Sequence, residues 1–103
     1  MDFAEVLTRM VTMRASDVHL TPGFHPAVRV RGQIQALEDL PVLTQQATRD
    51  TVYSILNDDQ RKKFENNMQL DFAYAIPNVA RFRVNTFFQR GAVSAAFRHI
   101  PQE

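Results

Sequence analysis

A chain of 103 residues, 45% hydrophobic and 22% charged, has the size and composition of one small globular domain. That excludes a disordered tail and leaves no room for a core plus a deep enclosed catalytic cavity. The lack of cysteine excludes disulfides, thiolate metal sites and cysteine nucleophiles and fits a reducing cytoplasm, while the net charge of +1 hides ten arginines among twelve basic residues.

Asp2, followed three residues later by Glu5, predicts a capped first helix over Phe3 to Met13, with Phe3, Val6, Leu7, Met10 and Val11 at helical spacing. Those acids stand where a signal peptide carries its basic region, and no apolar run approaches the ~20 residues that cross a bilayer. Asp17-Val18-His19-Leu20 alternates as a short strand, and Thr21 to Pro26, broken by prolines and a glycine, is a loop. Ala27 to Arg31 and Gln33 to Leu37 alternate about Gly32 and make a hairpin. Thr44 caps a second helix, Gln45 to Leu56, with Ala47, Thr51, Val52, Ile55 and Leu56 on its apolar stripe, and Asp58 caps a third through Asn66. Leu70 to Ile76, Val79 to Gln89 and Ala92 to His99 are three more strands, the last two joined at Arg90-Gly91. The order α-β-β-β-α-α-β-β-β predicts an α+β domain, an antiparallel sheet of about six strands with helices packed on one side.

The basic residues are unevenly placed. From Val79 to Ile100 there are four arginines, Arg81, Arg83, Arg90 and Arg98, and no acid. Along the strand from Val79, Ala80, Phe82, Val84, Thr86 and Phe88 share one face, which is core, and Arg81, Arg83, Asn85, Phe87 and Gln89 share the other. A two-residue turn at Arg90-Gly91 sets Gln89 against Ala92, Phe87 against Ser94, Asn85 against Ala96 and Arg83 against Arg98. A loop one residue longer would turn Arg98 onto the core face, which favours this register. Opposed like charges cost from a few tenths of a kcal/mol to about one, so the pair of arginines calls for a reason. One reason is a shared anion; otherwise each fork points away into solvent or bonds a carboxylate such as Asp17 or Asp71 brought close by folding.

Other signals are weaker. Asp17 and His19 share a strand face and read as a structural polar pair closing the start of the sheet, because no nucleophile is placed to use them. The histidines His19, His25 and His99 are scattered, so no metal is assigned, and the three glycines form no Walker-type run. Arg81-Phe82-Arg83 mixes basic and aromatic residues as RNA-binding sheets do, but only Phe87 shares the arginines' side, so no nucleic-acid partner is expected. A small-ligand sensor would place a pocket among Phe72, Tyr74, Phe82 and Phe88, which at this length are more simply core.

Ala15-Ser16-Asp17-Val18-His19-Leu20, Arg29-Val30-Arg31-Gly32, Asn57 to Glu65, Val79 to Phe87, Gln89-Arg90-Gly91 and Phe97-Arg98 run in order over essentially the whole chain. Together they resemble the N-terminal region of the type IV pilus retraction (twitching motility) ATPases, within the type II/IV secretion ATPase superfamily. The resemblance implies a PAS-like N-terminal domain over residues 1–103, with a RecA-like ATPase domain following it in the longer protein and absent from this chain. It implies that the chain alone is no enzyme and holds no catalytic residue or cofactor, ATP and magnesium being bound by the longer protein. The implied partners are its own ATPase domain, the neighbouring subunits of a homohexamer and the inner-membrane platform protein of the pilus, at the cytoplasmic face of that membrane. Carried over by position, Arg81, Arg83 and Arg98 would approach nucleotide held by the neighbouring subunit, with Asn85 and Arg90 in support.

Overall fold

The computed structural model describes residues 3–101. Its elements follow the expected order: α1 (Phe3–Thr12), β1 (Asp17–Leu20), β2 (Ala27–Val30), β3 (Gln33–Ala36), α2 (Gln45–Ser54), α3 (Asp58–Asn67), β4 (Gln69–Ile76), β5 (Ala80–Gln89) and β6 (Ala92–Ile100). The six strands form one antiparallel sheet in the order β3-β2-β1-β6-β5-β4. Consecutive strands β3 and β4 therefore occupy opposite edges, and the chain between them, carrying α2 and α3, has to cross one face of the sheet. Among the described residues no helix is long and apolar enough to cross a membrane.

The helix ends are set by local hydrogen bonding. The expected cap at Asp2 lies outside the described residues. At its other end α1 closes in a Schellman arrangement: Ala15 N–H reaches Met10 O at 2.9 Å, Arg14 N–H reaches Val11 O at 3.1 Å, and Arg14 takes the left-handed φ of 57°. Thr44 caps α2 as expected, its hydroxyl accepting from Ala47 N at 3.0 Å. The cap of α3 is Asn57 rather than Asp58. Asn57 Oδ1 accepts from Gln60 N at 2.8 Å and Gln60 Oε1 accepts from Asn57 N at 3.0 Å, a reciprocal box that Asp58 has no partner to form. Asp58 and Asp59 fall instead in the first turn, where their charge meets the positive end of the helix dipole.

One core joins the helices to the sheet. Val6, Leu7 and Met10 of α1, Val52 of α2 and Phe64 of α3 pack on Val18, Leu20, Val28, Phe82, Val84, Ala95 and Phe97, all buried. In α2 Thr51 of the expected stripe is half-buried and Thr48 is fully buried, and each hydroxyl donates back within the helix, Thr51 to Ala47 O at 2.8 Å and Thr48 to Thr44 O at 2.9 Å. Phe88 stacks on Phe64 at 4.6 Å, and the ring of Phe3 lies 4.9 Å from Phe97 and 6.2 Å from Tyr74. The aromatic side chains that a ligand-sensing pocket would use thus pack against other side chains. The β5–β6 register is the expected one throughout, with Arg83 opposite Arg98.

Candidate functional site

The face of the sheet away from the helices is ordered by strand register. Ile34, Arg29, Asp17, Arg98, Arg83 and Ala73 form one row across all six strands, and Ala36, Ala27, His19, Ala96, Asn85 and Asp71 form the next. Alternation sends these residues away from the core because their neighbours in sequence, Val18, Val28, Val84 and Phe97, are buried. A shallow depression of about 230 Å³ opens on this face, lined by Asp17, Arg83, Asn85, Ala96, Phe97 and Arg98.

Asp17 is the acid around which the row is arranged. Its Oδ2 accepts from the Ser16 hydroxyl at 2.6 Å, and its Oδ1 accepts from Arg98 Nε at 3.2 Å. Arg29 Nε stands on the other side, 3.8 Å from Oδ2. Burial works against this carboxylate's charge, but the Ser16 hydrogen bond, then the hydrogen bond and charge of Arg98, together with His19, outweigh it and hold the pKa below its ordinary value. Asp17 and His19 do share the face, yet the carboxylate's hydrogen bonds go to Ser16 and Arg98 rather than to the imidazole, which corrects the expected pairing. At one of the opposed arginines the expected carboxylate is present: folding brings Asp17 to Arg98.

The remaining arginines divide by place. Arg83 is exposed and, among the described residues, has no ion-pair partner. Arg81 lies on the same face, exposed and likewise unpaired among the described residues, with Ile100 opposite it. Asn85 lies in the depression but directs its amide to Asp71, Nδ2 donating to Oδ1 at 2.8 Å. Arg90 sits at the hairpin tip, seven residues along β5 from Arg83 and so about 23 Å away at the rise of an extended strand, outside this cluster. His25 donates from Nδ1 to Leu40 O at 2.7 Å and His99 faces Phe82 on the covered side, so the three histidines do not converge.

Arg29 and Ser16, read in the sequence as members of the Arg29-Val30-Arg31-Gly32 and Ala15-Ser16-Asp17 runs, also belong to the site. Arg29 flanks Asp17 because β2 pairs with β1 in a register that no turn between them fixes; its signals are alternation with Val28 and Val30 and its place in the Arg29-Val30-Arg31-Gly32 run. Ser16 enters through its hydroxyl, one residue before the strand. The same face also carries an apolar half, where exposed Phe24, Ile34 and Val42 edge a hollow of about 340 Å³ beside His19.

No protein-family model matches the chain. The type IV pilus retraction ATPase PilT of Pseudomonas aeruginosa is 42% identical to it over 103 residues, which is all of this chain and 30% of that protein. A twitching motility protein of Neisseria gonorrhoeae is 37% identical over 95 residues, 86% of this chain and 25% of its own length. The crystal structure of the pilus retraction motor PilT with bound ADP superposes with a TM-score of 0.93 at 43% identity, over 100% of this chain and 30% of that one. The chain thus spans less than a third of the length of these relatives. Over its whole length, in sequence and in fold, the chain is similar to the N-terminal part of the pilus retraction ATPase PilT.

Proposed function

We propose that this chain serves as the N-terminal domain of a hexameric retraction ATPase of twitching motility. In this reading a RecA-like ATPase domain follows it, and the open sheet face packs on the ATPase domain of the neighbouring subunit. Arg83 and Arg98, with Arg81 beside them, meet the phosphates of a nucleotide which that neighbouring domain holds with its magnesium ion. The assembly works at the cytoplasmic face of the inner membrane against the platform protein of the pilus. The observation that carries the reading is Arg83: exposed, unpaired among the described residues and opposite a second arginine across two central strands.

An arginine aimed at a transferring phosphoryl group neutralises charge that spreads over its oxygens, and such arginines are worth roughly 10³–10⁵ in rate in related systems. Nucleotide then moves the two domains only as far as it binds better when they are closed together, and the arginines are the source of that difference. The test joins this domain to its ATPase domain. Arg83→Ala is expected to lower ATP turnover by at least ~1,000-fold, the lower end of the range for such arginines, while the 103-residue chain carrying the same change stays folded by circular dichroism. Unchanged turnover in both Arg83→Ala and Arg98→Ala overturns the reading.

A further inference from the structure

Arg98 is held at one end only. Its Nε lies 3.2 Å from Asp17 Oδ1, its side chain is 74% exposed, and its terminal nitrogens have no partner among the described residues. A guanidinium is a rigid plane of five N–H donors, so anchoring Nε fixes where the terminal pair can point without consuming it. The anchor is itself fixed. Asp17 has a side chain only 12% exposed, takes the Ser16 hydroxyl at 2.6 Å and has Arg29 on its far side at 3.8 Å. Next along the row, Arg83 faces Arg98 with its whole fork free.

We propose that Asp17 is a positioning residue: by holding Arg98 at Nε it sets that arginine's terminal nitrogens beside Arg83, so that the two forks form one clamp for neighbouring phosphates of a polyphosphate. This rests on the reading that the open face meets nucleotide phosphate. Electrostatics alone predicts the opposite sign, because the charge of Asp17 repels an anion and its removal strengthens the attraction. Geometry and charge therefore separate cleanly by substitution. Asp17→Asn loses the charge and keeps an oxygen able to accept from Nε; Asp17→Ala loses both.

The test follows the arginine Nε–Hε nuclear magnetic resonance signals of the isotope-labelled chain during titration with inorganic tripolyphosphate at low salt. In the wild-type chain the Arg83 and Arg98 signals move along one saturation curve. Asp17→Ala weakens binding by about tenfold and uncouples the two signals, while Asp17→Asn binds within about threefold of wild type. Arg98→Lys keeps the charge but has a single nitrogen, which cannot hold Asp17 and reach the anion together, so it shows a similar loss of about tenfold. Being exposed, position 98 keeps the test decisive if Asp17→Ala fails to fold. Equal strengthening in both Asp17 variants, or wild-type affinity in Arg98→Lys, overturns the proposal. A wild-type chain in which Arg83 responds and Arg98 does not overturns the clamp and leaves the proposed function standing; one in which neither responds overturns both.

Discussion

The two faces of this sheet are built from alternate residues of the same strands, and they tolerate opposite things. On the covered face Phe82, Val84 and Phe97 are wholly shut from water and meet side chains from α1 and α3. One residue along, Arg81, Arg83 and Arg98 are exposed, and of the three Asp17 reaches only Arg98. A close-packed interior penalises any change of volume, whereas a solvated face carries like charges at a cost of tenths of a kcal/mol. The covered face therefore supplies most of the stability and leaves the other free to keep residues that folding alone would not select.

Substitutions on the two faces should separate accordingly. The largest effect is expected on the covered side: Phe82→Ala, at a position with 0% exposure, should cost about 3–5 kcal/mol in urea unfolding. A loss below ~1 kcal/mol there would mean that the core is far looser than its contacts indicate.

Asp17→Ala should come next, at about 1–2 kcal/mol, since a charge-assisted hydrogen bond is lost but its arginine partner is largely solvated. The pH dependence gives an independent handle. Because Asp17 binds its proton less readily folded than unfolded, its contribution is complete above the unfolded value near about 4 and drains away as pH falls through the lower folded one. The gap in stability between wild type and Asp17→Ala, measured by denaturation from pH 7 down to pH 3, should narrow as acid is added. A gap independent of pH would sink this account.

Arg83→Ala should leave stability within about 0.5 kcal/mol of wild type, or raise it slightly by removing repulsion from Arg98. A substantial destabilisation would break the division between faces by showing that Arg83 is structural. Smallest of all, Arg90→Asn should gain a few tenths of a kcal/mol in thermal unfolding, because Arg90 and Gly91 hold φ of 54° and 76° in a tight hairpin turn that favours asparagine first. A loss instead would show that Arg90 makes a contribution in the folded chain beyond its place in the turn.

Much of this was readable in advance, for reasons that differ along the chain. The β5–β6 hairpin was legible in full because a two-residue turn and a period of two leave only one register that keeps Arg98 off the core side. The cap of α3 was read one residue late, at Asp58, since asparagine and aspartate compete for that role and only the reciprocal bond to Gln60 decides between them. Along α2 the spacing picks out Thr51, which is half-buried, and passes over Thr48, which is fully buried, because residues three apart lie on the same side of a helix.

Sequence alone determined which residues share a face, because alternation and the hairpin are local: Arg83 beside Arg98 follows from fourteen intervening residues and one turn. It could not determine that Asp17, eighty-one positions away, would stand between Arg98 and Arg29, since β1 reaches β6 only when the sheet closes its order in three dimensions. That pairing carries the loop-closure entropy of most of the chain and is repaid by burial on the opposite face. Tertiary structure therefore decided which arginine is anchored and which is free.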